Sequence, residues 1–265
     1  MISRFVSSYR QNHYLVKNML MRDVKKRYIG STFGAFWFFF QPIMTVAIYT
    51  FVFSFILKAK LGPEFGGMNF SIWLICGLVP WMYFNEVIVR GVNAILDNTS
   101  LITKTVVDTR WIIFSYVLSS LFTFFVFLIV IFILLFIYSV PITWNLIVLP
   151  YYTLMLGLFS SGLALGLAAL NVYVRDVAQI ISIILNVWFY FTPIVYPETI
   201  IPEQFRFYLE LNPVYHFMEG FRVSLLSSGN INISGMLYVA LFSLMSFIVG
   251  MKVFNKLKDG FADVL

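Results

Sequence analysis

Trp111–Tyr138 reads WIIFSYVLSSLFTFFVFLIVIFILLFIY, with no Asp, Glu, Lys, Arg or His anywhere in the run. An α-helix needs about 20 such residues to cross the hydrocarbon core of a bilayer. A helix apolar on every side belongs in lipid or deep in protein, not at a water surface. The stretch therefore predicts a transmembrane span, and the rest of the chain repeats its character. Comparable runs cover 34–57, 70–89, 146–172 and 236–254, and a weaker one, interrupted by Asn186, Thr192 and Pro193, covers 177–195. The expected fold is an all-α integral membrane protein with six transmembrane helices.

Composition agrees. The chain is 60% hydrophobic and 11% charged, whereas soluble domains run at about 25% charged and could not cover their surface with so few. Its +6 net charge reads as loop bias rather than affinity for nucleic acid. Taking the N-terminus as cytoplasmic puts Arg4, Arg10, Lys17, Arg22, Lys25, Lys26, Arg27, Lys104, Arg110, Arg175, Lys252, Lys256 and Lys258 on the inner side. The outer loops then hold Lys58, Lys60, Arg206 and Arg222, with Arg90 inside a span. By the positive-inside rule both termini are cytoplasmic. Residues 1–33 carry no short apolar core ending in a cleavage site, so no cleaved signal is expected. Cys76, the lone cysteine, excludes an intrachain disulfide and a multi-cysteine metal site, and reads as a small apolar filler.

The chain divides into an interfacial region (1–33), a six-span domain (34–254) and a cytoplasmic tail (255–265). In the first region Val16, Leu20, Val24 and Tyr28 recur every four residues, with Asn18, Arg22 and Lys25 opposite and Met19 blurring the separation. This predicts an amphipathic helix along the membrane surface, its apolar side in lipid and its basic side toward headgroups or a partner. The segment 198–234 alternates apolar clusters with a break at Asn212-Pro213 and predicts two short or re-entrant helices. Backbone of that kind is tolerated at membrane depth only against protein or a water-filled cavity, which points to a pathway.

Enzyme motifs are absent: there is no GxxxxGK[ST] loop and no HExxH. His216 and Glu219 share a helical face but have no third ligand, so a polar surface pair competes with a metal site. Glu86 and Arg90 are the most unusual residues placed within a span. Such residues are costly there and are paired or functional. Their spacing, acid first, suits a helical ion pair, and a role in substrate passage stays open beside a structural one. Gly157, Ser160, Ser161, Gly162 and Gly166 on the fourth span permit close helix contact, either within the bundle or between subunits. Aromatics make up 19% of the chain. They fit interfacial and lipid-facing positions or a lining that stacks on the apolar faces of sugars.

Three segments narrow these choices. RDVKKRYIGSTFGAFWFFFQPI (Arg22–Ile43) resembles the entry to the first span of polysaccharide exporters of the ABC type 2 permease family, keeping Lys25, Arg27, Tyr28, Ser31, Gly34, Trp37 and Pro42 of a K-x-R-Y-x-x-S-x-x-G-x-x-W-x-x-x-x-P-like pattern. GLVPWMYF (Gly77–Phe84) is the second resemblance. LNVYVRDVAQI (Leu170–Ile180), followed by FTPIVYP and LNP, is the third. The order of the matches and their reach along nearly the whole chain carry the resemblance.

It implies a homodimeric permease in the bacterial inner membrane, working with two separate ATPase subunits that hold ATP and Mg²⁺. The cargo would be a lipid-linked polysaccharide such as O-antigen, with teichoic acid or capsule as alternatives. This chain would bind no cofactor and catalyse no reaction. An intramembrane sugar or acyl transferase is the rival from another class. ATPase coupling is expected at Arg22, Lys25, Lys26, Arg27, Arg175, Asp176 and the 97–108 loop with Lys104. Trp37, Trp81, Tyr83, Phe84, Glu86 and Arg90 are expected along the substrate pathway. Pro193, Tyr196, Asn212 and Pro213 are expected at an outer gate.

Overall fold

The computed structural model describes residues 13–23, 25, 36–56, 69–104, 108–226 and 230–265. Within them every regular element is a helix. Helix α1 covers 13–23. Helix α2 (Phe36–Thr50) continues into a π-helical turn, Phe51–Ile56. Then come α3 (Phe70–Asn93), the short α4 (Thr99–Lys104), α5 (Arg110–Ile137), α6 (Leu149–Tyr173) and α7 (Val177–Phe191). Two short helices, α8 (Glu203–Glu210) and α9 (Pro213–Leu226), precede α10 (Ile233–Leu257) and the terminal turn α11 (Phe261–Val264).

Among the described residues four helical stretches are long and apolar enough to cross a membrane: Phe70–Asn93, Arg110–Ile137, Trp144–Tyr173 and Ile233–Gly260. Pro42–Phe53 and Val177–Phe191 are shorter apolar helices. Helix α3 is the axis of the bundle, because most of its residues from Phe70 to Val92 are buried. It runs unbroken through Pro80, although proline there removes a backbone donor.

Helices α6 and α10 meet backbone to backbone. A Cβ on Gly162 would collide with the main chain of Ser246 and Phe247, and one on Gly250 with the carbonyl of Gly162. Hydroxyls strengthen the seam: Ser243 donates to the Met155 carbonyl and Ser246 to that of Phe159, both at 2.9 Å. Of the two roles open for the glycines of the fourth span, Gly162 therefore serves packing within the bundle.

Helix α7 has 15 residues, about 22 Å of rise, which falls short of the ~30 Å core. Beside α3, Trp188 and Phe189 of α7 lie at the level of Phe84 and Trp81. Helix α9 takes over above that level: Phe217 packs on Phe159 and Arg222 on Trp73. The join is Asn212, which caps α9 by accepting from the Val214 amide at 3.0 Å. Its Oδ1 also accepts from Trp188 Nε1 at 2.9 Å, and its Nδ2 donates to Thr192 Oγ1 at 2.8 Å. The expected break at Asn212-Pro213 is thus a splice, with α8 looped out between its two ends.

Two expectations are corrected. The apolar face of α1 packs on the bundle: Val16 and Met19 are buried, and the Met19 sulfur lies 3.9 Å from Ser115 Oγ. Lipid and protein reward the same apolar face, so periodicity could not tell them apart. Val24 and Tyr28, from the same pattern, lie outside the described residues. Arg222, assigned to an outer loop, is 1% exposed. Its guanidinium sits 3.6 Å from the centroid of Trp73, donates to Glu219 and to the Ile194 carbonyl at 2.9 Å each, and fits over Gly77, where a Cβ would come within 2.6 Å.

Candidate functional site: a cleft beside a charged ring

Two turns from its end, α3 carries Glu86 and Arg90 one turn apart, so both project to one side. Arg90 donates to Glu86 at 3.1 Å, the pair that the spacing implied. Its other terminal nitrogen lies 2.5 Å from Asp23 of α1. Ser119 of α5 donates to the second oxygen of that carboxylate. The guanidinium also lies 4.9 Å from the centroid of Tyr116. Tyr116 accepts from Asn98 at 3.1 Å, and Asn98 accepts from Arg22 of α1 at 2.9 Å. The contacts close a ring through α1, α3, the 96–98 turn and α5.

Each member has a local reason for its place. Asn98 is 5% exposed and fixed by donating to the Ala94 carbonyl at 2.9 Å. Asp23 and Arg22 end the bundle-facing side of α1, one turn after Met19. Arg90 therefore stays tied to two carboxylates rather than extending to headgroups, as a costly charge at this depth requires.

Glu86 and Arg90 also line an open cleft of about 770 Å³ between α2, α3, α5 and α7. Its wall alternates rings (Trp81, Phe124, Phe189) with polar groups (Thr45, Asn85, Asn186). Mixed walls of this kind suit a hydrated ligand with apolar faces, because rings cover the faces and amides and hydroxyls meet the edges. Of the proposed pathway residues, Trp81, Tyr83, Glu86 and Arg90 are on this wall. Phe84 is not. It is buried at 0% exposure between Phe159 and Trp188. Trp37 falls on α2, and its side chain lies outside the described residues.

At the other end, Trp188, Tyr190, Tyr196, Tyr208, Asn212 and Pro213 line a second cleft of about 760 Å³. Tyr196 donates to the Tyr190 carbonyl at 2.6 Å, while Pro193 is buried in the turn after α7. The proposed gate residues are therefore neighbours. Glu219 and His216 border one small cavity of about 40 Å³, but Glu219 pairs with Arg222, while His216 contacts the Glu210 carbonyl and the Tyr238 ring. Among the described residues no group of three His, Cys, Asp or Glu side chains could hold a metal.

Of the proposed coupling residues, Lys25, Arg175 and Asp176 are exposed, and Arg22 is exposed while bonded to Asn98. Lys26 and Arg27 lie outside the described residues, as does the side chain of Lys104. The turn holding Arg175 and Asp176 is anchored by Asn171, which is 0% exposed, donates to the Val92 carbonyl at 3.1 Å and accepts from the Ala178 amide at 3.2 Å. Sequence reasoning missed Asp23, Asn98 and Arg222. Asp23 had a usable signal as the single acid in residues 1–33.

Comparison with known proteins gives the architecture its family. Residues 14–226 match the family model of ABC-2 type transporters. The chain is 31% identical, over 92% of both chains, to a Klebsiella pneumoniae protein named O-antigen export system permease protein RfbA. It is 31% identical, over 83% of both, to a Myxococcus xanthus protein of the same name. It is 22% identical, over 91% of its length, to the Escherichia coli polysialic acid transport protein KpsM. With a family model covering most of its length and relatives aligned nearly end to end, this chain belongs to the ABC-2 type transporter family.

Proposed function

We propose that the chain is the transmembrane subunit of an ATP-driven exporter that carries a lipid-linked polysaccharide of the O-antigen class across the cytoplasmic membrane. The observation that carries this is the 31% identity over 92% of the chain to an O-antigen export permease. The mixed aromatic and polar cleft supports it, because a polymer needs contacts that repeat without tight specificity. Capsule export is the second reading, favoured by the more distant similarity to the polysialic acid transporter.

In this reading the bundle crosses the bilayer six times with both termini cytoplasmic. Helix α2 with its π-helical turn is the first crossing, and α7 with its Asn212-linked continuation α9 is the fifth. Two copies pair, and each receives one ATPase subunit, which holds the ATP and Mg²⁺. Helix α1, the segment from Asp97 to Asp108 and the Arg175-Asp176 turn form the docking face. When the ATPase pair closes, the push on α1 and the 96–98 turn reaches the cleft wall through Asp23, Asn98 and Arg90. The polymer then moves past Trp81, Tyr83 and Glu86 toward the aromatic cleft near Tyr196, where α8 and α9 open the exit.

The test is co-purification of the chain with a candidate ATPase, followed by reconstitution in proteoliposomes. Hydrolysis stimulated by lipid-linked polysaccharide supports export. A chain that never associates with an ATPase, or a complex indifferent to polymer, sinks it.

A further inference from the structure

The stretch that follows α10 is built onto the turn assigned above to the docking face. Helix α10 ends at Leu257, and a 3₁₀ turn (Lys258–Gly260) leads into α11. Phe261, the first residue of α11, is 2% exposed, its ring 6.2 Å from that of Tyr173 and 5.6 Å from that of Phe254. Tyr173, the last residue of α6, donates its hydroxyl to the Leu257 carbonyl at 2.8 Å, at the end of α10 where a helix runs out of its own donors. A Cβ on Gly260 would collide with that hydroxyl. The φ of Gly260 is −90°, so the glycine serves the close approach rather than a left-handed backbone. Leu257, Gly260 and Phe261 thus converge on one side chain, and that side chain stands just before the exposed Arg175 and Asp176. Asn171 holds the same turn from its other side, through Val92 and Ala178.

We propose that the segment 258–265 braces the Arg175-Asp176 turn, with Phe261 and Tyr173 as positioning residues that make the turn a firm footing for the ATPase. The inference rests on the docking face put forward above and names the side chains that stiffen one part of it. A push on α1 and the 96–98 turn does work on the cleft only against something that does not yield. The Arg175-Asp176 turn projects from α6, which is locked to α10 at Gly162 and Gly250. The brace repeats that lock at the far ends of the same two helices. With the brace undocked, the turn would follow the ATPase and absorb part of the stroke. Coupling over such distances is carried by packed side chains and rigid elements.

The experiment uses the permease–ATPase complex in proteoliposomes with lipid-linked polysaccharide, and reads the ratio of polymer-stimulated to basal hydrolysis. Phe261→Ala should still co-purify with the ATPase and lower the ratio about fivefold, the middle of the range for variants along a coupling network. Phe261→Leu refills most of the volume and should restore the ratio. Gly260→Ala should lower it by setting a methyl against the Tyr173 hydroxyl. The same change in a Tyr173→Phe background, where the hydroxyl is gone, should cost less, because residues in contact are not additive. A Phe261→Ala complex that loses thermal stability but keeps the ratio would make the segment a structural end piece and overturn the brace, with the export reading left standing. Equal effects of Gly260→Ala in the two backgrounds would also overturn it, and that comparison holds even if Phe261→Ala fails to fold. A wild-type complex whose hydrolysis ignores the polymer would overturn the export reading, and the brace with it.

Discussion

The carboxylate of Asp23 lies 2.5 Å from the guanidinium of Arg90, tying a helix that precedes the spans to the most buried helix of the bundle. The contact spans 67 residues of sequence, and it shares Arg90 with Glu86 on the cleft wall. In the proposed exporter, Arg90 is one side chain through which a push on α1 would reach the cleft.

Coupling between these two residues is measurable. Asp23→Ala, Arg90→Ala and the double variant form a cycle whose interaction energy should be about 0.5–3 kcal/mol, read from thermal unfolding in detergent. Asp23→Asn should lower polymer-stimulated hydrolysis while leaving ATPase co-purification intact. Additive single effects would remove the proposed link.

The buried cation on α9 gives an asymmetric expectation. Glu219→Ala strands Arg222 without its counter-charge at 1% exposure, and should cost about 3 kcal/mol, the low end for a broken buried pair, because Glu219 itself is 37% exposed. Arg222→Leu leaves a carboxylate that water can reach, and so should be milder. Unfolding temperatures of the two variants, measured side by side, check the order. The reverse order would mean that stacking on Trp73 and the bond to the Ile194 carbonyl outweigh the ion pair.

Phe84 and Trp81 should separate packing from transport. Phe84→Ala opens a void between Phe159 and Trp188 and should destabilise by about 3–5 kcal/mol. Trp81→Ala alters the cleft wall, and a folded variant should show weaker polymer stimulation. Equal loss of stability with no transport effect from Trp81→Ala would take that residue off the pathway.

Much of this architecture was legible in the sequence, and the failures share one cause. The α5 run could be nothing but a membrane-length helix, and the small residues of α6 announced a close neighbour without naming α10. Arg222 was lost because loop counting assigns a cation by its interval in the chain, while α9 folds that interval back against α3. The Glu219-x-x-Arg222 spacing, interleaved with the buried Phe217 and Phe221, held the correction. Glu86 and Arg90 were found as a pair by their spacing. Asp23, the third partner, comes from another helix, and no periodicity within one element can report a contact of that kind.

Splice geometry at Asn212 can be tested by fluorescence. Asn212→Ala removes bonds to Trp188, Thr192 and the Val214 amide, each worth about 1 kcal/mol net. The expected result is a shifted Trp emission, lower unfolding temperature and greater leak of small solutes through proteoliposomes. Unchanged leak in a folded variant would separate the splice from the gate.

The glycine seam between α6 and α10 carries a mechanical consequence. Where side chains intervene, helices slide by exchanging rotamers; where Gly162 meets Gly250, main chain rests on main chain and nothing can be exchanged. Leucine at either position should force the pair apart and destabilise by about 1–3 kcal/mol or more. In the native protein the two helices form a stator. In the proposed exporter, working strokes fall to the elements that move against it.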